Sequence, residues 1–216
     1  MQFQIAPSIL AADFLNLEKD IRALNDCADL IHLDVMDGSF VPNISFGFPI
    51  IDAVAGIATI PMDAHLMVVE PWKWFSTLQR EKVSMASFHL EAAGDRTSEC
   101  IRALQSEGIK AGVAVNPDVP VQELFPYIGS ADFFLVMSVF AGFGGQKFMP
   151  ESLERVSSLK AEIRRRGFET PVQIDGGINK SNIGDVIRSG ADIVVAGSSV
   201  FGGNDPRAAV RSLRDG

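Results

Sequence analysis

Eight times along this chain a short run rich in β-branched and aromatic residues hands over to a segment with helical spacing, and this alternation limits the fold more than any other feature. The runs read "FQIAPSIL", "LIHLDVMD", "IPMDAHLMV", "MASFHLE", "KAGVAVN", "FFLVMSV", "PVQIDGG" and "DIVVAGSS". Neighbouring parallel strands need a crossover connection, so strand–helix alternation implies a parallel sheet. Spread over 216 residues, eight units take 27 residues each (216/8 = 27), compact but adequate for a single (β/α)8 TIM barrel occupying residues 1–216 as one α/β domain. A doubly wound open sheet is the rival and would usually have fewer strands. "NLEKDIRALND" has the apolar spacing of a helix. Pro49, Pro71, Pro150 and Pro206 stand where helices would begin. "PESLERVSSLKAEIRRRG" and "NKSNIGDVIRSG" both stop at a glycine.

At 47% hydrophobic residues the chain has ample material for a core. Its formal net charge of −8, without a long basic run, disfavours nucleic acid and anionic membranes as partners. An acidic protein can still hold an anionic metabolite on backbone N–H groups and helix N-termini. Cys27 and Cys100, each expected inside a helix, form neither a metal pair nor a disulfide framework. There is no charged segment leading into a secretory apolar stretch, and no apolar run near the roughly 18 residues of a membrane span. A cytoplasmic protein is expected.

Polar residues recur at the strand ends, where such barrels carry their sites. Within "LIHLDVMDG" the alternation places Ile31, Leu33 and Val35 toward the outer helices, and His32 and Asp34 toward the barrel mouth. Ser8 falls in the first strand, His65 in the third, His89 and Glu91 at the fourth, Asn116 at the fifth, Ser138 at the sixth and Asp175 at the seventh. Imidazoles and carboxylates are natural ligands of divalent first-row metals. His32, Asp34, His65 and Asp175 can therefore converge as a two-histidine, two-carboxylate set, with Zn, Fe, Mn and Co all open. His89 reads as a structural residue or as one that stands behind a ligand.

Glycine-bearing turns follow the last three strands: "GFGGQ" at 142–146, "DGG" at 175–177 and "AGSS" at 196–199. Glycine lets a backbone approach an anion closely and direct N–H groups at it, so a phosphate site is expected there. Neither a dinucleotide nor a P-loop fingerprint is present. Met36, Met67 and Met137, each near a strand end, are candidates for an apolar cap over a ligand.

At these residues the chain resembles the ribulose-phosphate 3-epimerase family. The shared blocks are "APSILAADF" (6–14), "HLDVMDGSFVPNISFG" (32–47), "DAHLMV" (63–68), "GFGGQKF" (142–148), "DGGI" (175–178) and "AGSSVF" (196–201). The resemblance implies a (β/α)8 barrel of the pentose phosphate pathway that interconverts D-ribulose 5-phosphate and D-xylulose 5-phosphate. It would do so by two-base proton transfer at C3, one divalent metal per chain stabilising the enediolate. Carried over, it makes His32, Asp34, His65 and Asp175 the metal ligands, and Asp34 and Asp175 also the catalytic acid/base pair. Ser8, His65, Gly142, Phe143, Gly144, Gly145, Gly176, Gly177, Gly197 and Ser198 would meet the substrate or its phosphate. The expected partners are a small phosphorylated ketose and further copies of the chain in a homo-oligomer. Two departures bear on turnover. Phe140 and Ala141 stand where the family has an acidic or polar residue and a proline, which predicts a looser sixth loop, and "NPDVP" replaces the family's segment after strand five. Left open are a 3-epimerase of a six-carbon ketose phosphate such as D-allulose 6-phosphate, a metal-dependent aldolase or decarboxylase on a related barrel, and a non-catalytic sugar-phosphate binder.

Overall fold

All eight apolar runs form strands. In the computed structural model, which describes residues 3–215, these are β1 (Gln4–Pro7), β2 (Ile31–Met36), β3 (Met62–Met67), β4 (Val83–His89), β5 (Lys110–Val115), β6 (Phe133–Met137), β7 (Val172–Asp175) and β8 (Ile193–Ala196). They make one parallel sheet in the order β1-β8-β7-β6-β5-β4-β3-β2. The two end strands meet through a parallel bridge between Ser8 and His32, and Asp29 and Leu30 donate their N–H groups to Ile5 O, so the sheet curls into the expected barrel.

Nine helices lie among the described residues: α1 (Leu17–Leu24), α2 (Phe48–Ala55), α3 (Phe75–Arg80), α4 (Leu90–Ala93), α5 (Thr97–Ser106), α6 (Ser152–Arg165), α7 (Ile183–Arg188), α8 (Ser198–Phe201) and α9 (Pro206–Arg214). Pro49 and Pro206 occupy the first turns of α2 and α9. Two prolines depart from expectation. Pro71 opens a 3-10 turn (Pro71–Lys73) ahead of α3, and Pro150 lies two residues before α6. Between β5 and β6 the crossover is a 3-10 run, Val121–Tyr127, with Pro126 inside it; a proline there lacks the N–H that an α-helix needs and crowds the preceding turn. Cys27 sits past α1 rather than within it, because a tight turn with Cys27 N–H donating to Leu24 O carries the chain off the helix. Cys100 is in α5, and both thiols are free.

Strand alternation sorts the side chains. Ile31, Leu33 and Val35 pack under the helices with the main core. Ala6, Leu30, Met85, Phe133, Ile193 and Val195 form a second apolar cluster inside the barrel. Phe133 can occupy the centre only because residue 112 is glycine: a Cβ there would lie 2.3 Å from the Phe133 ring. Burying such a ring contributes about 1.5–3 kcal/mol. No helix among the described residues is long and apolar enough to cross a membrane.

The barrel floor carries a repeated device. Asp29, Asp132 and Asp192 each follow an alanine and precede an apolar residue, just before or at the start of an even-numbered strand. Each accepts the N–H of a residue near the start of the odd-numbered strand before it: Ile5 at 2.8 Å, Ala111 at 2.8 Å and Val172 at 2.7 Å. Asp192 also accepts from Lys160 Nζ at 2.6 Å, and the Lys160 side chain is only 9% exposed. Asp192→Ala leaves that ammonium with only Thr170 O at 3.3 Å and the Val172 N–H without its acceptor, so it should lower stability by about 2–3 kcal/mol in urea unfolding. Asp185→Ala, which removes an exposed pair with Arg188 on α7, should change it by less than about 0.5 kcal/mol. Equal effects would show that the floor aspartates are ordinary surface residues.

Candidate metal centre and active site

The site is built by register. Because β2 and β3 are parallel with His32 beside Asp63 and Asp34 beside His65, two ionisable pairs face the barrel interior one layer above the other. Asp175 arrives as the last residue of β7. His32, Asp34, His65 and Asp175 thereby each offer one donor atom within 4.8 Å of the others. His32 Nε2 is 3.3 Å from Asp34 Oδ1 and 4.0 Å from Asp175 Oδ2. His65 Nδ1 is 3.1 Å and 3.8 Å from the same two oxygens.

The surroundings aim these atoms. His32 Nδ1–H donates to Asp63 Oδ2 at 2.7 Å, and Gln173 Nε2 donates to that oxygen at 2.5 Å, all three residues being fully buried. That contact turns His32 Nε2 to the cluster, where it is buried without a hydrogen-bond partner. Ser8 Oγ donates to Asp34 Oδ2 at 2.5 Å and leaves Oδ1 to the cluster. Asp63 and Gln173 were not foreseen as functional. The signal for Asp63 lay in the alternation of "DAH", which puts it on the face of His65. Gln173 carried the same signal, two residues before Asp175 on one face of β7, but its partner lies on a strand 110 residues away and could not be read.

The electrostatics suit a cation. Burial opposes ionisation of Asp34, yet His32 and His65 outweigh it and hold its carboxyl well below the usual carboxylate range. Burial, and then the charge of Asp34, push Asp175 up to about 7. Burial also works against charge on His32, but Asp34 and Asp63 raise its pKa well above the usual value. The field that draws a proton to His32 Nε2 would draw a divalent ion to the same place. Two imidazole nitrogens and two carboxylates, one of them an orphaned buried nitrogen, fit a first-row divalent metal.

Above the cluster opens a cavity. Met36, Met67 and Met137, all nearly fully buried, line its wall. Ser8, Asp34 and Asp175 reach it from below. Its rim comes from Gly142, Phe143, Gly144 and Gly145 on one side, and from Gly176, Gly177, Gly197 and Ser198 on the other. His65 lies behind Asp34, fully buried and off the cavity surface. No lysine or arginine lines this cavity among the described residues. Gly177 is held at φ +65° with its Cβ position 2.4 Å from Phe148 N, so the sixth and seventh loops meet backbone to backbone.

The sixth loop is not loosened by the missing proline. Three amide side chains hold it: Asn116 Oδ1 accepts from Ala141 N–H at 3.0 Å, Asn43 Nδ2 donates to Gly142 O at 2.9 Å, and Gln146 Nε2 donates to Phe140 O at 2.7 Å and Phe143 O at 2.9 Å. The first of these exists only because residue 141 has an N–H. Phe140 itself is 49% exposed at the cavity edge. Ala141→Pro should therefore destabilise by about 1–3 kcal/mol, leaving Asn116 Oδ1 without its donor. Unchanged urea unfolding would contradict this.

Comparison with known proteins agrees with this geometry. Residues 4–201 match the Ribulose-phosphate 3 epimerase family. The chain is 42% identical to ribulose-phosphate 3-epimerase of Mycobacterium tuberculosis, covering 97% of this chain and 91% of that protein. It is 38% identical to the Bacillus subtilis enzyme of the same name, covering 98% of each. Among solved structures, a 3-hexulose-6-phosphate synthase superposes with a TM-score of 0.69 over 100% of this chain and 99% of that one; at 18% identity this likeness shows the fold alone. With its barrel, its buried histidine–aspartate cluster and these relatives in view, the chain belongs to the ribulose-phosphate 3-epimerase family.

Proposed function

We propose that this chain interconverts D-ribulose 5-phosphate and D-xylulose 5-phosphate by exchanging the proton on C3. The observation that carries the reading is the pairing of Asp34 and Asp175, which come from β2 and β7 and face one cavity beneath an apolar wall. A hydrogen on carbon next to a ketone is weakly acidic, and its removal leaves a planar enediolate. One aspartate takes the proton from one face, and the other returns a proton to the opposite face. Ser8 holds one oxygen of Asp34, which fixes the direction of its other oxygen. The methionine wall gives the cavity an apolar surface that can mould around the substrate.

His32 Nε2, His65 Nδ1 and one oxygen each of Asp34 and Asp175 would hold a divalent ion, with Zn, Fe, Mn and Co all compatible with the donor set. Bound there, it supplies positive charge beside the oxygens that become negative as the proton leaves. The glycine rim supports recognition of the phosphate by backbone N–H groups, consistent with the absence of basic side chains from the lining among the described residues and with the net charge of −8.

The test is NMR of the pure, metal-loaded protein with D-ribulose 5-phosphate in D2O. Deuterium should enter C3 while D-xylulose 5-phosphate accumulates, and chelation should stop both. Asp175→Asn and Asp34→Asn, each shown to retain metal, should lose net epimerisation by roughly 10²–10⁴-fold while washing out the C3 proton of opposite epimers. Washout of the same epimer by both variants would refute two-base chemistry. No C3 exchange by the wild-type protein would refute the activity.

A further inference from the structure

Behind His65, away from the cavity, a chain of polar groups runs from two buried histidines out to the solvent-exposed Glu91. His65 Nε2 and His89 Nε2 are 2.8 Å apart, with the two rings stacked at 5.0 Å and 28° and both side chains fully buried. Only one hydrogen can lie between those nitrogens. His89 Nδ1, on the far side, is 3.5 Å from Glu91 Oε1 and 3.5 Å from Asn116 Nδ2. The Asn116 amide has its orientation set, because its Oδ1 accepts from Ala141 N–H. Its NH2 group therefore faces His89 and can only donate. Glu91 Oε1 also accepts the Asn116 N–H at 3.0 Å, and Phe40 packs on the other face of His89 at 4.8 Å between ring centroids.

These contacts allow two self-consistent proton arrangements. In one, His65 carries its hydrogen on Nδ1 facing Asp34, accepts from His89 Nε2–H, and His89 Nδ1 accepts from Asn116. In the other, His65 Nε2–H donates to His89 Nε2, and His89 Nδ1–H turns to Glu91 Oε1, giving up the bond from the Asn116 amide. Both place two hydrogens on the pair of rings. Only the second leaves His65 Nδ1 with a free lone pair, which a metal ligand requires.

We propose that His89 is a positioning residue: backed by Glu91, it accepts the Nε2–H of His65 and so fixes the tautomer whose Nδ1 binds the metal. Metal-ligating histidines generally have their second nitrogen held in this way, and loss of the partner typically weakens metal binding 10–100-fold. Here the partner is a second imidazole with its own carboxylate, none of which reaches the cavity. The inference rests on the reading of the four-donor cluster as a metal site.

The experiment measures Zn²⁺ affinity by chelator competition for the whole wild-type protein and for His89→Leu and His89→Gln. It is paired with ¹⁵N NMR of the histidine rings in Zn²⁺-loaded wild type. His89→Leu should bind Zn²⁺ about 10–100-fold more weakly. His89→Gln should recover most of that loss, since its amide oxygen can accept the same N–H. The spectra, which do not depend on the variants folding, should show hydrogen on Nε2 of His65 and on Nδ1 of His89. Undiminished Zn²⁺ binding by His89→Leu, or hydrogen on Nε2 of His89 in the loaded wild type, would overturn the proposal while leaving the metal site standing. Failure of the wild-type protein to take up Zn²⁺ would overturn both.

Discussion

Asp34 and Asp175 are held within one small buried cluster, and two carboxylates so placed resist being ionised together. The upper half of the barrel is arranged around that repulsion. His32 and His65 stand against both aspartates, Ser8 donates to Asp34, and Asp63 with Gln173 steadies His32 from below. Removing any one of these leaves a buried charge with fewer partners, which a low-dielectric interior penalises. A shared cation answers the same field with a single charge centre. The geometry that would bind the metal and the geometry that makes a proton-transfer pair are thus one arrangement.

Parallel register supplies that arrangement. The offset that sets His32 beside Asp63 also sets Asp34 beside His65, so a one-residue slip of β2 against β3 would turn His32 and Asp34 outward, away from both partners. Lower in the barrel, the floor aspartates tie β1 to β2, β5 to β6 and β7 to β8, and Phe133 lodges against Gly112 between β5 and β6. These ties lie at the bottom of the barrel, and the chemistry sits at the top.

The eight strands were legible because each has an apolar run bounded by turn residues, and the four-donor set was legible because alternation put His32, Asp34 and His65 on inward positions. What escaped were features set by distant partners. The 3-10 crossover before β6 depends on Pro126 interrupting an otherwise apolar segment. The role of Asn116 depends on an N–H at residue 141, which has meaning only once β5 and the sixth loop are adjacent. A missing proline reads in one dimension as lost rigidity, while in the fold the same position supplies a hydrogen bond. The sequence left His89 open as a structural residue or one behind a ligand, and its 2.8 Å approach to His65 identifies which ligand it stands behind.

The most direct test of the central claim is the anomalous difference map from crystals grown with Zn²⁺ or Co²⁺ and measured at the metal's absorption edge. One peak per chain is expected, about 2.0–2.2 Å from His32 Nε2, His65 Nδ1 and an oxygen of both Asp34 and Asp175. A map with no peak in the cluster, or with a metal bound while either aspartate turns away from it, would contradict the account.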